Sequence, residues 1–288
     1  MRLFLTGATG FIGSHVLLAA LNAGYEVVAM RRSAHSSATI PLPKEPTWWE
    51  GDLNSLEASQ LEGIDAIIHT AAAGVSPKRA SWSDLLQTNV CGSIRLLESA
   101  SVAGIRRCVF VGTCHEYGNS ALRYKAIPPD APLEPLNEYG ASKAACYQLT
   151  RTFASIHELE FFYGRIFFAY GEGQYSHNFW PSLQRAAILG EDLRMTSGRQ
   201  IGDFIPAETV AVHLLAACTR SDIIPGSPYV VNIGTGIPQS LLAFAEAEWK
   251  RLAAKSSLVP SSIPDRKDQI YHMVPDIKGL FPPTPHYT

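Results

Sequence analysis

The run Gly7-Ala8-Thr9-Gly10-Phe11-Ile12-Gly13 constrains this chain more than any other segment. It follows Arg2–Thr6, which reads as a short buried strand. It opens Gly13–Ala23, which reads as a helix ended by Gly24. A strand that turns into a helix through spaced glycines points backbone N–H groups outward and lets a pyrophosphate approach the helix N-terminus. Gly7, Thr9, Gly10, Phe11, Ile12 and Gly13 are therefore candidate dinucleotide-binding residues. A glycine-rich turn without a ligand has the same local string, so the rest of the chain has to discriminate.

Further strands are expected at Glu26–Met30, Ala66–His69, Cys108–Val111 and Glu160–Ile166, and amphipathic helices at Leu85–Ala103 and Tyr139–Ile156. Strands alternating with helices predict an α/β fold, a Rossmann-type doubly wound parallel sheet covered on both faces. Beyond Gly171 the texture changes to loops rich in Gly, Pro and Ser. Helices are expected around Ser182–Leu189, Val210–Thr219 and Leu241–Lys255, with a strand at Tyr229–Ile233 and a proline-rich tail over Phe281–Thr288. Residues 1–170 are expected to form the dinucleotide-binding domain, with segments around 203–235 returning to it. Residues 171–288 are expected to form mainly a smaller, interleaved lobe for the substrate.

Bulk properties exclude several classes. A net charge of −2 and no basic run longer than Arg31-Arg32 or Arg106-Arg107 give no surface for nucleic acid or an anionic membrane. No stretch of about 18 apolar residues suggests a membrane span. The apolar start of the chain is broken by Gly7, Gly10 and Gly13, which fits a strand and helix better than a signal peptide. Five cysteines without metal-type spacing read as reduced thiols of a cytoplasmic protein, with no metal site.

The end of the second strand bears on which dinucleotide binds. NAD(H) favours an acidic side chain there to accept from the adenine ribose, whereas this chain has Arg31 followed by Arg32. A guanidinium attracts a 2′-phosphate and offers no acceptor to a 2′-hydroxyl. NADP(H) is thus preferred, with NAD(H) possible, against the alternative of two solvated arginines on a loop.

Tyr139 and Lys143 are four residues apart, hence neighbours on one helix face. An ammonium beside a phenol favours the phenolate and is expected to lower the Tyr139 pKa from about 10 toward neutrality. Chance supplies this spacing about a third of the time in a chain of this composition, so the pair carries weight only in company.

With these motifs in order, the chain resembles the extended short-chain dehydrogenase/reductase family, the NAD(P)-dependent nucleotide-sugar epimerases, dehydratases and ketoreductases. Gly7, Gly10 and Gly13 match its GxxGxxG, and Tyr139 with Lys143 its YxxxK. The resemblance implies that Asp52, in Gly51-Asp52-Leu53, contacts adenine and that Ala71, Ala72 and Ala73 turn behind the cofactor. It makes Asn89 a structural asparagine on the central helix. It assigns Thr113, four residues before Tyr117-Gly118, as the hydroxyl that orients a carbonyl oxygen while Tyr139 transfers the proton. Lys143 would also hold the nicotinamide ribose. Arg165 and Tyr170-Gly171 match an RxxNxYG region in which Phe168 replaces the asparagine.

The departures narrow the subfamily. Cys114-His115 stand where sugar 4,6-dehydratases carry Asp-Glu, which argues against a dehydratase. His115 occupies an acid/base position of some relatives, or is a satisfied structural residue or a substrate hydrogen-bonder. Asn178 and Arg266 match positions that bind a nucleotide-sugar diphosphate. Gly202 replaces the arginine of an Arg-Asp-Phe motif, and Arg199 is a candidate substitute. The expected activity is NADP(H)-dependent reduction of a keto group on a nucleotide sugar, of the 4-ketoreductase type. The alternatives are a nucleotide-sugar 4-epimerase and a non-catalytic NADP(H)-sensing protein. The resemblance also implies a homodimer through Leu85–Ala103 and Tyr139–Ile156.

Overall fold

Alternation along each strand builds two cores from one sheet. In β1 (Arg2–Thr6), Leu3 and Leu5 face one side and Phe4 the other, as the two-residue period of a strand requires. The computed structural model describes residues 1–75, 80–265 and 270–281.

The main sheet has seven parallel strands. They are β1, β2 (Glu26–Arg31), β3 (Thr47–Glu50), β4 (Ala66–His69), β5 (Arg107–Thr113), β6 (Glu160–Ile166) and, later in the chain, Tyr229–Ile233. Their spatial order is Tyr229–Ile233, β6, β5, β4, β1, β2, β3. The chain therefore winds outward from β1 in one direction and then returns to wind in the other. The switch lies between β1 and β4, the crevice where such sheets bind ligands.

On one face, α1 (Phe11–Asn22) and a later helix, Ala207–Ala217, pack Val16, Leu17, Val210, Leu214 and Leu215 onto Leu3, Leu5, Ile68 and Val109. On the other face lies a helical stretch of three pieces: α2 (Trp82–Leu85), a π-helical segment Leu86–Cys91 and α3 (Gly92–Val102). With α4 (Glu138–Ile156) it covers Phe4, Ile67, Phe110 and Phe161. Each fully buried apolar side chain of this kind stabilises the fold by about 1.5–3 kcal/mol.

The remaining elements are β7 (Phe168–Tyr170), α5 (Phe179–Leu189), β8 (Leu193–Arg194), β9 (Ile201–Gly202), β10 (Phe204–Pro206), α6 (Ala207–Ala217), β11 (Tyr229–Ile233), β12 (Gln239–Ser240), α7 (Leu241–Arg251), β13 (Leu258–Val259) and β14 (His272–Met273). Helices α5 and α7 bury a small core of their own, Leu183, Ala187, Met195, Ala245 and Trp249. Chain beyond Gly171 thus divides its packing: α6 and β11 join the large sheet, whereas α5 and α7 pack on each other.

Several expectations shift, among them a helix start, a helix end and a strand. The helix predicted at Leu85–Ala103 begins at Trp82 and carries the π segment. The helix predicted to reach Lys255 ends at Arg251, before a turn with Ala253 at φ +50°. Strand β3 was not expected, although Thr47-Trp48-Trp49-Glu50 is β-prone.

Candidate active site

The loop after β1 is shaped by what its glycines leave out. Gly7 has φ +70°, and a Cβ there would lie 2.6 Å from the Ala71 nitrogen. A Cβ on Gly13 would collide with the Gly7 carbonyl oxygen. The β1 loop and the turn after β4 are laced together: Thr70 Oγ1 donates to Thr6 O at 2.8 Å and Ala71 N to Thr6 Oγ1 at 3.3 Å. Gly10 caps α1 with no side-chain hydrogen bond, and the first turn carries no acidic residue. Those N–H groups and the open backbone fit a dinucleotide pyrophosphate. Ile12 packs into the core, and Phe11 sets its ring edge-on to His15 with centroids 5.5 Å apart. Thr9 is half-buried.

Toward the expected adenosine end, Asp52 Oδ1 accepts from the N–H groups of Asn54 and Ser55 at 2.8 and 3.0 Å, closing a turn above buried Leu53. Arg31 is held rather than free: its NH2 donates to Glu50 Oε1 at 2.7 Å and its guanidinium lies over Trp48. Arg32 is exposed.

The residues expected to carry chemistry converge at the C-terminal ends of β4 and β5. Thr113 ends β5 and caps a short 3-10 turn, Cys114–Glu116. Asn137 caps α4, its Oδ1 accepting from Gly140 N at 2.8 Å, which places Tyr139 in the first turn. Gly140 lets the helix come close, because a Cβ there would lie 2.5 Å from the His115 carbonyl oxygen. The Thr113 hydroxyl lies close enough to the Tyr139 phenol to pull its pKa down, against the stronger effects that raise it. The exposed His115 ring is centred 6.3 Å from the Tyr139 ring. Lys143, one turn along α4, is buried.

Asn89 fixes this arrangement from the π segment. Its Oδ1 accepts from Ala73 N at 2.7 Å, and its Nδ2 donates to Ala73 O and to Ser142 Oγ. Ser142 Oγ in turn donates to the Tyr139 carbonyl at 2.8 Å. A π bulge that turns an amide inward is a recurrent device at functional sites. Ala71, Ala72 and Ala73 are half-buried, and the following Gly74 lies against the Tyr139 ring, 3.4 Å from where its Cβ would be.

The electrostatics correct one expectation. Burial, then the nearby Glu116 carboxylate, push the Tyr139 phenol above its usual value rather than below it. Lys143 acts instead on His69, whose pKa falls to about 3, first through burial and then through that ammonium. His69 is held neutral between Thr6 Oγ1 at 2.7 Å and Ser93 Oγ at 2.9 Å. Beneath Thr113, Glu116 and Arg165 form a fully buried ion pair at 2.6 Å, with the guanidinium 4.2 Å from the Tyr147 ring centroid. Glu116, His69 and Glu50 escaped sequence reasoning. For Glu116 the signal was a carboxylate inside Val111–Gly118, but its partner lies 49 residues away.

Residues expected to bind substrate are less gathered. Asn178 caps α5 without a side-chain bond and is half-buried. Arg199 is 76% exposed and sits 3.7 Å from Asp265. Arg266 lies outside the described residues. Asp203 is buried and accepts from Thr235 N, Thr235 Oγ1 and Ile237 N, which is structural work. A cavity of about 570 Å³ between α4 and β11, reached by Arg151 and Arg165, contains none of the glycine loop, Thr113, Tyr139 or Lys143. Among the described residues no helix is long and apolar enough to cross a membrane, and no cluster of three metal-ligating side chains occurs.

Comparison with known proteins accords with this geometry. The profile of the NAD dependent epimerase/dehydratase family matches residues 3–234. The UDP-glucose 4-epimerase of Bacillus subtilis (strain 168) is 26% identical over 299 residues, 93% of this chain and 86% of that one. That of Azospirillum brasilense is 36% identical over 169 residues, 55% of this chain and 46% of that one. The dTDP-6-deoxy-L-talose 4-dehydrogenase (NAD(+)) of Aggregatibacter actinomycetemcomitans is 26% identical over 255 residues, 85% of this chain and 88% of that one. The structure of MoeE5 in complex with UDP-glucose and NAD superposes with a TM-score of 0.81 at 29% identity, covering 96% of this chain and 90% of that one. A glycine cradle at the switch of a doubly wound sheet, and a matching profile over most of its length, make this chain a member of the NAD-dependent epimerase/dehydratase family, within the extended short-chain dehydrogenases/reductases.

Proposed function

We infer that this protein reduces a keto group on a nucleotide-activated sugar, in the manner of a 4-ketoreductase, with NADP(H) as the preferred dinucleotide. What supports the reading is the Thr113 hydroxyl beside the Tyr139 phenol at the open end of the sheet, a phenol whose pKa burial raises. A protonated phenol is ready to donate, which suits reduction; oxidising a sugar hydroxyl needs it as a base.

The bound dinucleotide supplies the hydride. Tyr139 gives its proton to the carbonyl oxygen as negative charge develops there. The Thr113 hydroxyl directs that oxygen and stabilises it, a small oxyanion site. Lys143 would hold the nicotinamide ribose hydroxyls. His115 is a second proton carrier or substrate hydrogen-bonder beside the pair. Asn178 would hydrogen-bond the substrate diphosphate and Arg199 and Arg266 would offset its charge, while Arg31 and Arg32 would attract the 2′-phosphate. The similarity to a dTDP-sugar 4-dehydrogenase over most of both chains supports redox chemistry at a sugar carbon.

The 4-epimerase relatives favour a second reading, in which the protein retains its dinucleotide, oxidises a sugar hydroxyl, and reduces the keto sugar on its other face. An NADP(H)-sensing role needs no acid/base set and gains nothing from Thr113, Tyr139 and Lys143. The test is a panel of UDP-, dTDP-, CDP- and GDP-sugars and their 4-keto derivatives, followed by nucleotide absorbance and product analysis. Stoichiometric NADPH consumption with a 4-keto sugar supports the reductase. C4 inversion without net consumption, on protein that retains NAD⁺, supports the epimerase. Turnover of no sugar nucleotide in the panel overturns both.

A further inference from the structure

Arg31 is paired by strand register. In the parallel alignment of β2 and β3 it stands opposite Glu50, and Gly51 N donates to the Arg31 carbonyl at 3.0 Å. Its side chain is 19% exposed while that of Glu50 is 48% exposed, so Glu50 is the more open partner of the pair. Trp48 carries the guanidinium 5.0 Å from its ring centroid and is itself fixed by donating Nε1–H to Glu45 Oε2 at 2.6 Å. The Arg31 Nε is buried without a hydrogen-bond partner. A cavity of about 290 Å³ opens beside Arg31 and Trp48, lined also by Ser36, Ser37 and Glu45.

We propose that Glu50 sets the selectivity between phosphorylated and unphosphorylated dinucleotides by holding Arg31 against a 2′-phosphate. The inference rests on the reading that the end of β2 faces the adenosine ribose. A phosphate reaching Arg31 has to displace the Glu50 carboxylate or share the guanidinium with it, two like charges within a few ångströms. A 2′-hydroxyl meets no such opposition, because the outer carboxylate oxygen accepts a hydrogen bond from it. Attraction by Arg31 and repulsion by Glu50 therefore offset each other, and the wild-type preference for NADP(H) is narrow. Glu50 is a specificity residue that acts through its strand neighbour.

The test is calorimetric titration of the full chain with NADPH and with NADH, on wild type, Glu50→Gln, Arg31→Ala and the double variant. Glutamine keeps an acceptor for Arg31, and thermal melts check that each variant is folded. Glu50→Gln is expected to tighten NADPH about tenfold while changing NADH under about twofold. In the Arg31→Ala background the same change should bring no gain. An unchanged NADPH/NADH ratio in Glu50→Gln, with a shifted ratio in Arg31→Ala, overturns the role of Glu50 and leaves the Arg31 reading standing. A ratio unchanged in both overturns the Arg31 reading itself. A gain that persists without Arg31 overturns the route through the guanidinium.

Discussion

Glu116 Oε1 accepts the backbone N–H of Thr113 at 2.8 Å, tying the hydroxyl residue of the site to a carboxylate buried beneath it. The same oxygen accepts the Tyr163 hydroxyl at 2.9 Å, and Oε2 accepts Arg165 Nε at 2.6 Å. Gly112 makes room, since a Cβ there would lie 2.7 Å from Glu116 Oε1. One carboxylate thus fixes the end of β5, the turn after it and a guanidinium surrounded by tyrosines.

Breaking that pair should be costly. Glu116→Gln leaves the Arg165 charge uncompensated in the interior and is expected to lower stability by about 3–5 kcal/mol, read as a shift in the urea midpoint. A loss below about 1 kcal/mol would show that the pair contributes little.

His69 should impose an acid sensitivity. Its folded pKa of about 3 lies below the unfolded value of about 6.5, so only the unfolded chain takes up its proton between those limits. Its share of stability is present above about pH 6.5 and declines by about 1.4 kcal/mol per unit as pH falls toward 3. Urea titrations across that range should show a flatter profile for His69→Gln; parallel profiles would contradict the assignment.

Gly140 should matter to chemistry more than to nucleotide binding. Gly140→Ala pushes α4 from the His115 carbonyl oxygen, 2.5 Å from the new Cβ, and moves Tyr139 from Thr113. Turnover is expected to fall about 100-fold, the cost of a misplacement near 1 Å, with nucleotide affinity little changed. Comparing kcat with the nucleotide Kd reads the split.

Gly13→Ala should do the reverse. Its Cβ collides with the Gly7 carbonyl oxygen, so the cradle opens and nucleotide affinity falls, measurable by titration whatever the substrate.

Much of this architecture was legible because its signals are local. Arg2–Thr6, Ala66–His69, Glu160–Ile166 and Tyr229–Ile233 were expected with the bounds they have, since short apolar runs between turn residues announce buried strands. Strands of two residues, such as β8 and β12, are too short to show a period. The site separates in the same way: the Gly7–Gly13 loop and the Tyr139–Lys143 spacing are contiguous, whereas Arg165 reaches Glu116 across 49 residues and Arg31 reaches Glu50 across 19. The raised Tyr139 pKa depends on how deeply the phenol is enclosed, which spacing on a helix does not encode.

If Tyr139 is the proton donor, Tyr139→Phe removes the donor and little else. Phenylalanine keeps the ring and removes only the hydroxyl that lies beside Thr113. Measured on the sugar nucleotide that wild type turns over, the variant should bind the dinucleotide with unchanged affinity and lose at least about 100-fold in kcat, the lower end of a general-acid contribution. Turnover at the wild-type rate, with the nucleotide bound as before, would rule out Tyr139 as the proton donor.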